Sequence, residues 1–171
     1  MALTTIRDAV LPAGAVLQVV STTKTDGFST TAGLSSPADV TGLSLNITPI
    51  STSSKILIHA SLNYGGNDNV YGSFYFKRGS TNVTISTYAT GNRTNAPLAI
   101  HGDNSNFQYG LQCAVFQFLD SPSSTSQLTY KVQMATHNGA TQFYLNRPHA
   151  TADSSYVHGG TSTFTLMEIA G

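Results

Sequence analysis

Hydrolytic catalysis needs a nucleophile, a base and an orienting group held together, and chains that perform it usually display an elbow or a metal motif. None occurs here. The five histidines, His59, His101, His137, His149 and His158, include no pair at metal-ligand spacing, and the acid closest to any of them is Asp103, beside His101. Cleavage of glycosides by paired carboxylates has little to draw on, because Glu168 is the sole Glu and the Asp residues stand mostly in turn-like clusters. Tyr64-Gly65-Gly66 and His158-Gly159-Gly160 have no helix after them, so they read as hairpin bends rather than phosphate cradles. The single cysteine, Cys113, has no disulfide partner and lies in the mostly apolar stretch Leu111 to Leu119, which predicts a small buried hydrophobe. The chemistry expected of this chain is therefore non-enzymatic, with no cofactor and no metal.

Recognition remains open. The segment from Tyr88 to Phe107 is the longest without strand alternation, and it is rich in Asn, Gly and Thr around Arg93, Pro97, His101 and Asp103. Long loops on a rigid scaffold commonly carry binding. Arg93, His101 and Asp103 are thus candidate ligand-loop residues, with Arg147 from the stretch Tyr144 to Tyr156, for a host-surface glycan or receptor. Eight basic side chains balance eight acidic ones, and charged residues make up only 9% of the chain, against about 25% in an average soluble domain. Lys77-Arg78 is the only adjacent basic pair, so the basic stripe that nucleic acid demands is missing. Ser and Thr, about a quarter of the residues, hydrate the surface without building a field that would keep copies apart. No stretch approaches membrane-spanning length, Met1 to Ala15 lacks the pattern of a secretory signal, and the sequons at Asn46, Asn82 and Asn92 are of the kind chance supplies in a Thr-rich chain.

The elements that must position these residues are strands. Period-two alternation recurs throughout, most clearly in Ser53 to Tyr64, where Ile56, Ile58, Ala60, Leu62 and Tyr64 face one way and Lys55, Leu57, His59, Ser61 and Asn63 the other. Val16 to Thr23, Thr41 to Thr48, Val70 to Arg78, Asn82 to Tyr88, Tyr109 to Leu119, Gln127 to Thr136, Thr141 to Leu145 and Ser162 to Ile169 bring the predicted strands to nine, separated by clusters of Gly, Pro, Asn, Asp and Ser. One core is expected at 171 residues, and eight or nine strands hide their apolar faces as a two-sheet antiparallel sandwich, of which the jelly roll is the commonest form at this length. An immunoglobulin-like sandwich fits less well, being shorter and lacking here its cysteine pair and core Trp. Residues 1–15 read as an arm and 16–171 as the jelly-roll domain.

Three strands carry apolar residues on both faces. Tyr109 to Leu119 sets Ala114, Phe116 and Phe118 behind Leu111, Cys113, Val115 and Leu119; Ser162 to Ile169 sets Met167 and Ile169 behind Phe164 and Leu166; Val70 to Arg78 sets Tyr71 and Tyr75 behind Phe74 and Phe76. A sandwich buries one face of each sheet, so a second apolar face needs another cover, most simply further copies of the chain about a symmetry axis. The expectation is a homotrimer with Tyr71, Tyr75, Phe116, Phe118, Met167 and Ile169 at the subunit interface. The alternative cover is a terminal arm, for which Leu3, Ile6, Val10 and Leu11 supply apolar side chains.

Several segments are similar to small virion proteins of marine and cyanobacterial tailed phages: Val16-Leu-Gln-Val-Val-Ser-Thr-Thr-Lys-Thr-Asp26 with Phe28-Ser-Thr30, Ile47 to Ile58, Phe118-Leu-Asp-Ser-Pro122, Thr129-Tyr-Lys-Val-Gln133 and Thr163 to Gly171. The resemblance runs from Val16 onward and is weak between Gly65 and Gly110. It implies a jelly-roll module related to trimeric tumour-necrosis-factor-like folds, found in phage fibres and head decoration proteins. A short free-standing chain then suits a capsid decoration (cement) protein on the virion surface, assembled in the host cytoplasm, whose partners are its own copies and the major capsid protein, with Leu3, Ile6, Val10 and Leu11 in a capsid-docking arm. A tail-fibre or receptor-binding module, partnered by tail proteins and a host glycan, is the competing reading.

Overall fold

The computed structural model describes residues 12–67, 70–88, 90–101, 108–137 and 141–171. Eleven strands and no helix form among them: β1 (Val16–Lys24), β2 (Phe28–Thr30), β3 (Ala38–Ile47), β4 (Lys55–Gly66), β5 (Tyr71–Arg78), β6 (Thr81–Asn82), β7 (Leu98–His101), β8 (Gln112–Asp120), β9 (Leu128–Thr136), β10 (Phe143–Leu145) and β11 (Ser162–Ile169). With the short β2, β6 and β10 set aside, the strands pair in a nested order. β1 pairs with β11, β3 with β9, β4 with β8 and β5 with β7, always antiparallel. First joins last and each next pair lies inside the one before, which is the jelly-roll winding of one long ribbon into two packed sheets. The six-stranded sheet runs β1-β11-β4-β8, with β10 and β2 continuing from the far end of β4; the five-stranded sheet runs β3-β9-β5, with β6 and β7 along β5. The all-β sandwich expected from the sequence is the fold observed.

Between the sheets lies one apolar core, in which Ile56, Ile58, Ala60, Leu62, Phe164 and Leu166 of one sheet meet Leu43, Phe74, Phe76, Tyr130, Val132 and Met134 of the other. Strict alternation puts these residues inside, with one local exception. In β3 the inward parity changes from Val40 to Leu43 and Ile47, because the register against β9 shifts between Asp39 and Ser44. Gly42, at φ +86°, supplies the left-handed conformation such a bulge needs. At Gly72 of β5 the reason for glycine is closeness: a Cβ there would stand 2.8 Å from the buried Phe143 ring.

Most of the larger polar groups taken into the fold are partnered, whereas Ser54 Oγ, Asn82 Oδ1 and Gln133 Oε1 are buried without a hydrogen bond among the described residues. Asp120 at the end of β8 accepts from the Tyr130 hydroxyl at 2.7 Å and from Arg78 Nη1 at 2.5 Å, tying β8 across the core to β9 and β5. Burial first, and then this carboxylate, push the Tyr130 phenol well above its usual range. Asn146, at φ +61°, donates to the carbonyls of Lys24 and Asp26 and accepts from Ser162 Oγ at 2.6 Å, fastening the turn after β10 to β1 and β11. Glu168 is fully buried and accepts from Gln18 Nε2 at 2.5 Å and from the Ile50 backbone N–H at 2.7 Å.

Two expected elements are different. The strand predicted over Asn82 to Tyr88 is reduced to the two residues of β6. A four-residue strand, β7, forms instead inside the segment read as lacking one, where Leu98 and Ile100 pack partly against the core. Leu98-Ala-Ile-His is too short for alternation to stand out against its loop-like neighbours.

Candidate functional site

Two surfaces outside the core stand out. The first is the outer face of the six-stranded sheet. Register places Val19 of β1 beside Met167 of β11, Met167 beside Leu57 of β4, and Leu57 beside Leu119 of β8, so four apolar side chains cross four strands in one row. Val16 and Ile169 are paired at the next position toward the chain ends. Val19 is 54% exposed, Val16 51% and Leu119 44%, while Leu57, Met167 and Ile169 are half-buried by their neighbours. The rows on the other side are mostly polar: Ser21, Thr165, His59 and Gln117, then Thr23, Thr163 and Ser61, this last row ending on the exposed Val115. Lys55 is the only charged side chain in these rows, so the face carries almost no field.

The strand facings decide which expected interface residues belong here. Met167 and Ile169 do. Phe116 does not: it points into the sandwich, 8% exposed, with its ring stacked 3.8 Å from that of Phe76. Phe118 is on the same inward face, half-buried and packed against the core. The facing of β8 is therefore the reverse of the one expected, since Cys113, Val115 and Leu119 are the outward residues. Cys113 is accordingly exposed rather than a buried hydrophobe, with Sγ 3.3 Å from Ser61 Oγ. Tyr75 is only 5% exposed and is covered within its own chain, which raises its phenol pKa by burial; it has no free face for another subunit. Tyr71 is exposed but lies on the other sheet. Leu3, Ile6, Val10 and Leu11 are outside the described residues, as is Asp103.

The second surface is a cleft of about 460 Å³ on the outer face of the five-stranded sheet, at the end where β5, β7 and β9 meet. Tyr71 of β5 and His101 of β7 are register partners, and their rings stack at 4.4 Å with 12° between planes. His137, whose backbone N–H donates to the Tyr71 carbonyl, brings its ring edge-on to Tyr71 at 6.1 Å. Ser86, Tyr88 and residues 92–95 complete the lining with these rings. Arg93 stands over the Tyr88 ring at 5.5 Å and donates to Thr90 Oγ1 at 3.0 Å. Arg93 and His101 thus come together, as two expected ligand-loop residues. Arg147 does not join them: it packs over Tyr144 at 4.8 Å and is absent from the cleft lining. Sequence reading missed Tyr71 and His137 as cleft residues, because strand pairing, not proximity along the chain, brings them to the segment that begins at Tyr88.

Among the described residues no cluster of three or more His, Cys, Asp or Glu could hold a metal ion, and no helix is long and apolar enough to cross a membrane.

No family model matches the chain, and no curated protein is significantly similar to it. Solved structures of the VP2 protein of infectious bursal disease virus are similar in part. A mutant VP2 in T=1 particles aligns with TM-score 0.45 and 12% identity over 90% of this chain and 36% of that one. A VP2 subviral particle aligns with TM-score 0.34 and 14% identity over 90% and 38%, and the Gx strain structure with TM-score 0.37 and 14% identity over 90% and 37%. This chain spans little more than a third of the length of those proteins, and a likeness of that depth assigns no function.

Proposed function

We propose that this chain is a non-enzymatic structural component of a tailed-phage virion: a capsid decoration protein on the head surface that assembles as a homotrimer through the outer face of its six-stranded sheet. The observation that carries the reading is the apolar row Val19, Met167, Leu57 and Leu119, with Val16 and Ile169 beside it. Full burial of such a side chain contributes about 1.5–3 kcal/mol, so each half-exposed one leaves roughly 1 kcal/mol ungained in the monomer. Three such faces meeting about a three-fold axis recover several kcal/mol, comparable with the lower end of the ~4–15 kcal/mol that association costs. The even charge balance and sparse charge remove the repulsion that would oppose it. A subunit that binds only the assembled shell stabilises that state by mass action.

The test is light scattering on the purified chain, with labelled electron microscopy of particles. Trimers are expected, and Leu57→Glu, which sets a carboxylate in the middle of the row without touching the core, should give a folded monomer. A parent chain that stays monomeric at high concentration refutes the assembly, and label on the tail refutes the head location. A second reading, a fibre or receptor-binding module, is favoured by the cleft on the opposite sheet.

A further inference from the structure

The cleft between the Tyr71–His101 stack and Arg93 has the chemistry of a saccharide site, and we propose that it binds an acidic sugar, a pyranose bearing a carboxylate. Sugars present two kinds of surface: apolar C–H faces that settle on aromatic rings, and a rim of hydroxyls that needs neutral donors and acceptors. Both are present. Tyr71 is 47% exposed and His101 stacks on one face of its ring, so the pair presents aromatic surface at the mouth of the cleft. Ser73, Ser86, Asn92 and Thr94 line the walls with hydroxyl and amide groups. A purely apolar ligand would leave these groups without water, at a cost of roughly 1–3 kcal/mol each.

Charge selects the class. Arg93 is the one permanent cation in the lining, it forms no ion pair among the described residues, and the described lining contains no Asp or Glu. Its contact with Tyr88 holds the planar guanidinium in the lining of the cleft, and such a fork binds a carboxylate in two parallel hydrogen bonds. A polyphosphate or nucleic acid would call for several cations, and the cleft offers one. The volume, about 460 Å³, lies within the range of small-ligand sites. The site is made by one subunit on the sheet opposite the apolar row, so it does not depend on the assembly proposed above.

Titration of the full chain with digalacturonic acid and with its carboxyl-reduced counterpart, followed by NMR of the Tyr and His ring signals, tests the proposal. The acidic disaccharide should shift the Tyr71, His101 and His137 signals saturably and bind about tenfold more tightly than the reduced one, the difference expected of one charge-assisted contact. Arg93→Gln should abolish that preference, and Tyr71→Ala should weaken both ligands by a similar factor; an unchanged thermal midpoint for Arg93→Gln shows that the fold is intact. The proposal is overturned if neither disaccharide moves these signals at tens of millimolar, or if the two bind equally and Arg93→Gln changes nothing.

Discussion

Replacing Phe116 by alanine tests the facing of β8, on which the outward surface depends. The ring is 8% exposed and stacks on Phe76 at 3.8 Å with 8° between planes. Its burial contributes up to about 3 kcal/mol, and the ring pair about 1 kcal/mol more. Because β8 has only one described neighbour in its sheet, β4, the strand can settle inward and recover part of the cavity term. The loss therefore falls near the lower end of the ~3–5 kcal/mol seen for Phe→Ala. For a chain of this length that lowers the thermal midpoint by roughly 6–12 °C. Val115, the next residue, is 58% exposed on the opposite face, and Val115→Ala should stay within about 0.5 kcal/mol. Circular dichroism melts of both variants at low protein concentration, where association contributes little, give the comparison. Equal costs, or a larger cost for Val115→Ala, would mean that β8 presents its other face to the core, and the apolar row would lose Leu119.

The Tyr130 phenol, with Tyr64 and Tyr75, is held above its usual range chiefly by burial, so the stability these groups lend is intact below about pH 10 and falls as pH rises toward their folded values. Tyr130→Phe should cost about 1 kcal/mol at neutral pH by removing the bond to Asp120, yet flatten the alkaline decline measured by urea titration between pH 9 and 11. The hydrogen bond from Lys131 at 2.7 Å holds the Asp39 carboxyl below its ordinary value, so its contribution is present above about pH 4 and disappears as pH falls through the depressed value. Since Asp39 is more than half exposed, Asp39→Asn should change stability by under about 0.5 kcal/mol at pH 7 and by nothing at pH 2. Gly72→Ala should destabilise by about 1–3 kcal/mol through contact with the Phe143 ring, and adding Phe143→Leu should recover part of the loss, seen as a non-additive thermal midpoint for the double variant.

The parts of this fold legible from sequence are those where polarity and parity agree. In β4 every second residue from Ile56 to Leu62 is apolar while the alternate face holds Lys55, His59, Ser61 and Asn63 with Leu57 as its one apolar member, and the structure keeps that division. Parity gives no direction when both faces are apolar. In β8, Val115 and Leu119 compete with Phe116 and Phe118, and the choice is made by Asp120, which shares the parity of the phenylalanines and must reach Arg78 and Tyr130 across the core. The requirement to satisfy a buried carboxylate thus turns the strand, and that requirement spans distant segments which no local window contains. The same holds for the cleft. Arg93 and His101 could be nominated from a long loop, but the aromatic cluster that His101 joins is made when β5 pairs with β7 and β9, bringing Tyr71, His101 and His137 together from three segments. Which outward residues then share a row, as Val19, Met167, Leu57 and Leu119 do, follows from register, and register is set by the inward faces together with turns and bulges. A sheet whose core fixes its register leaves its outer face free to specify association, so the outer row can be changed to charge without altering the fold. The pairing therefore predicts that Leu57→Glu and Met167→Glu will each affect assembly while leaving the melting of the isolated subunit within a few degrees of the parent.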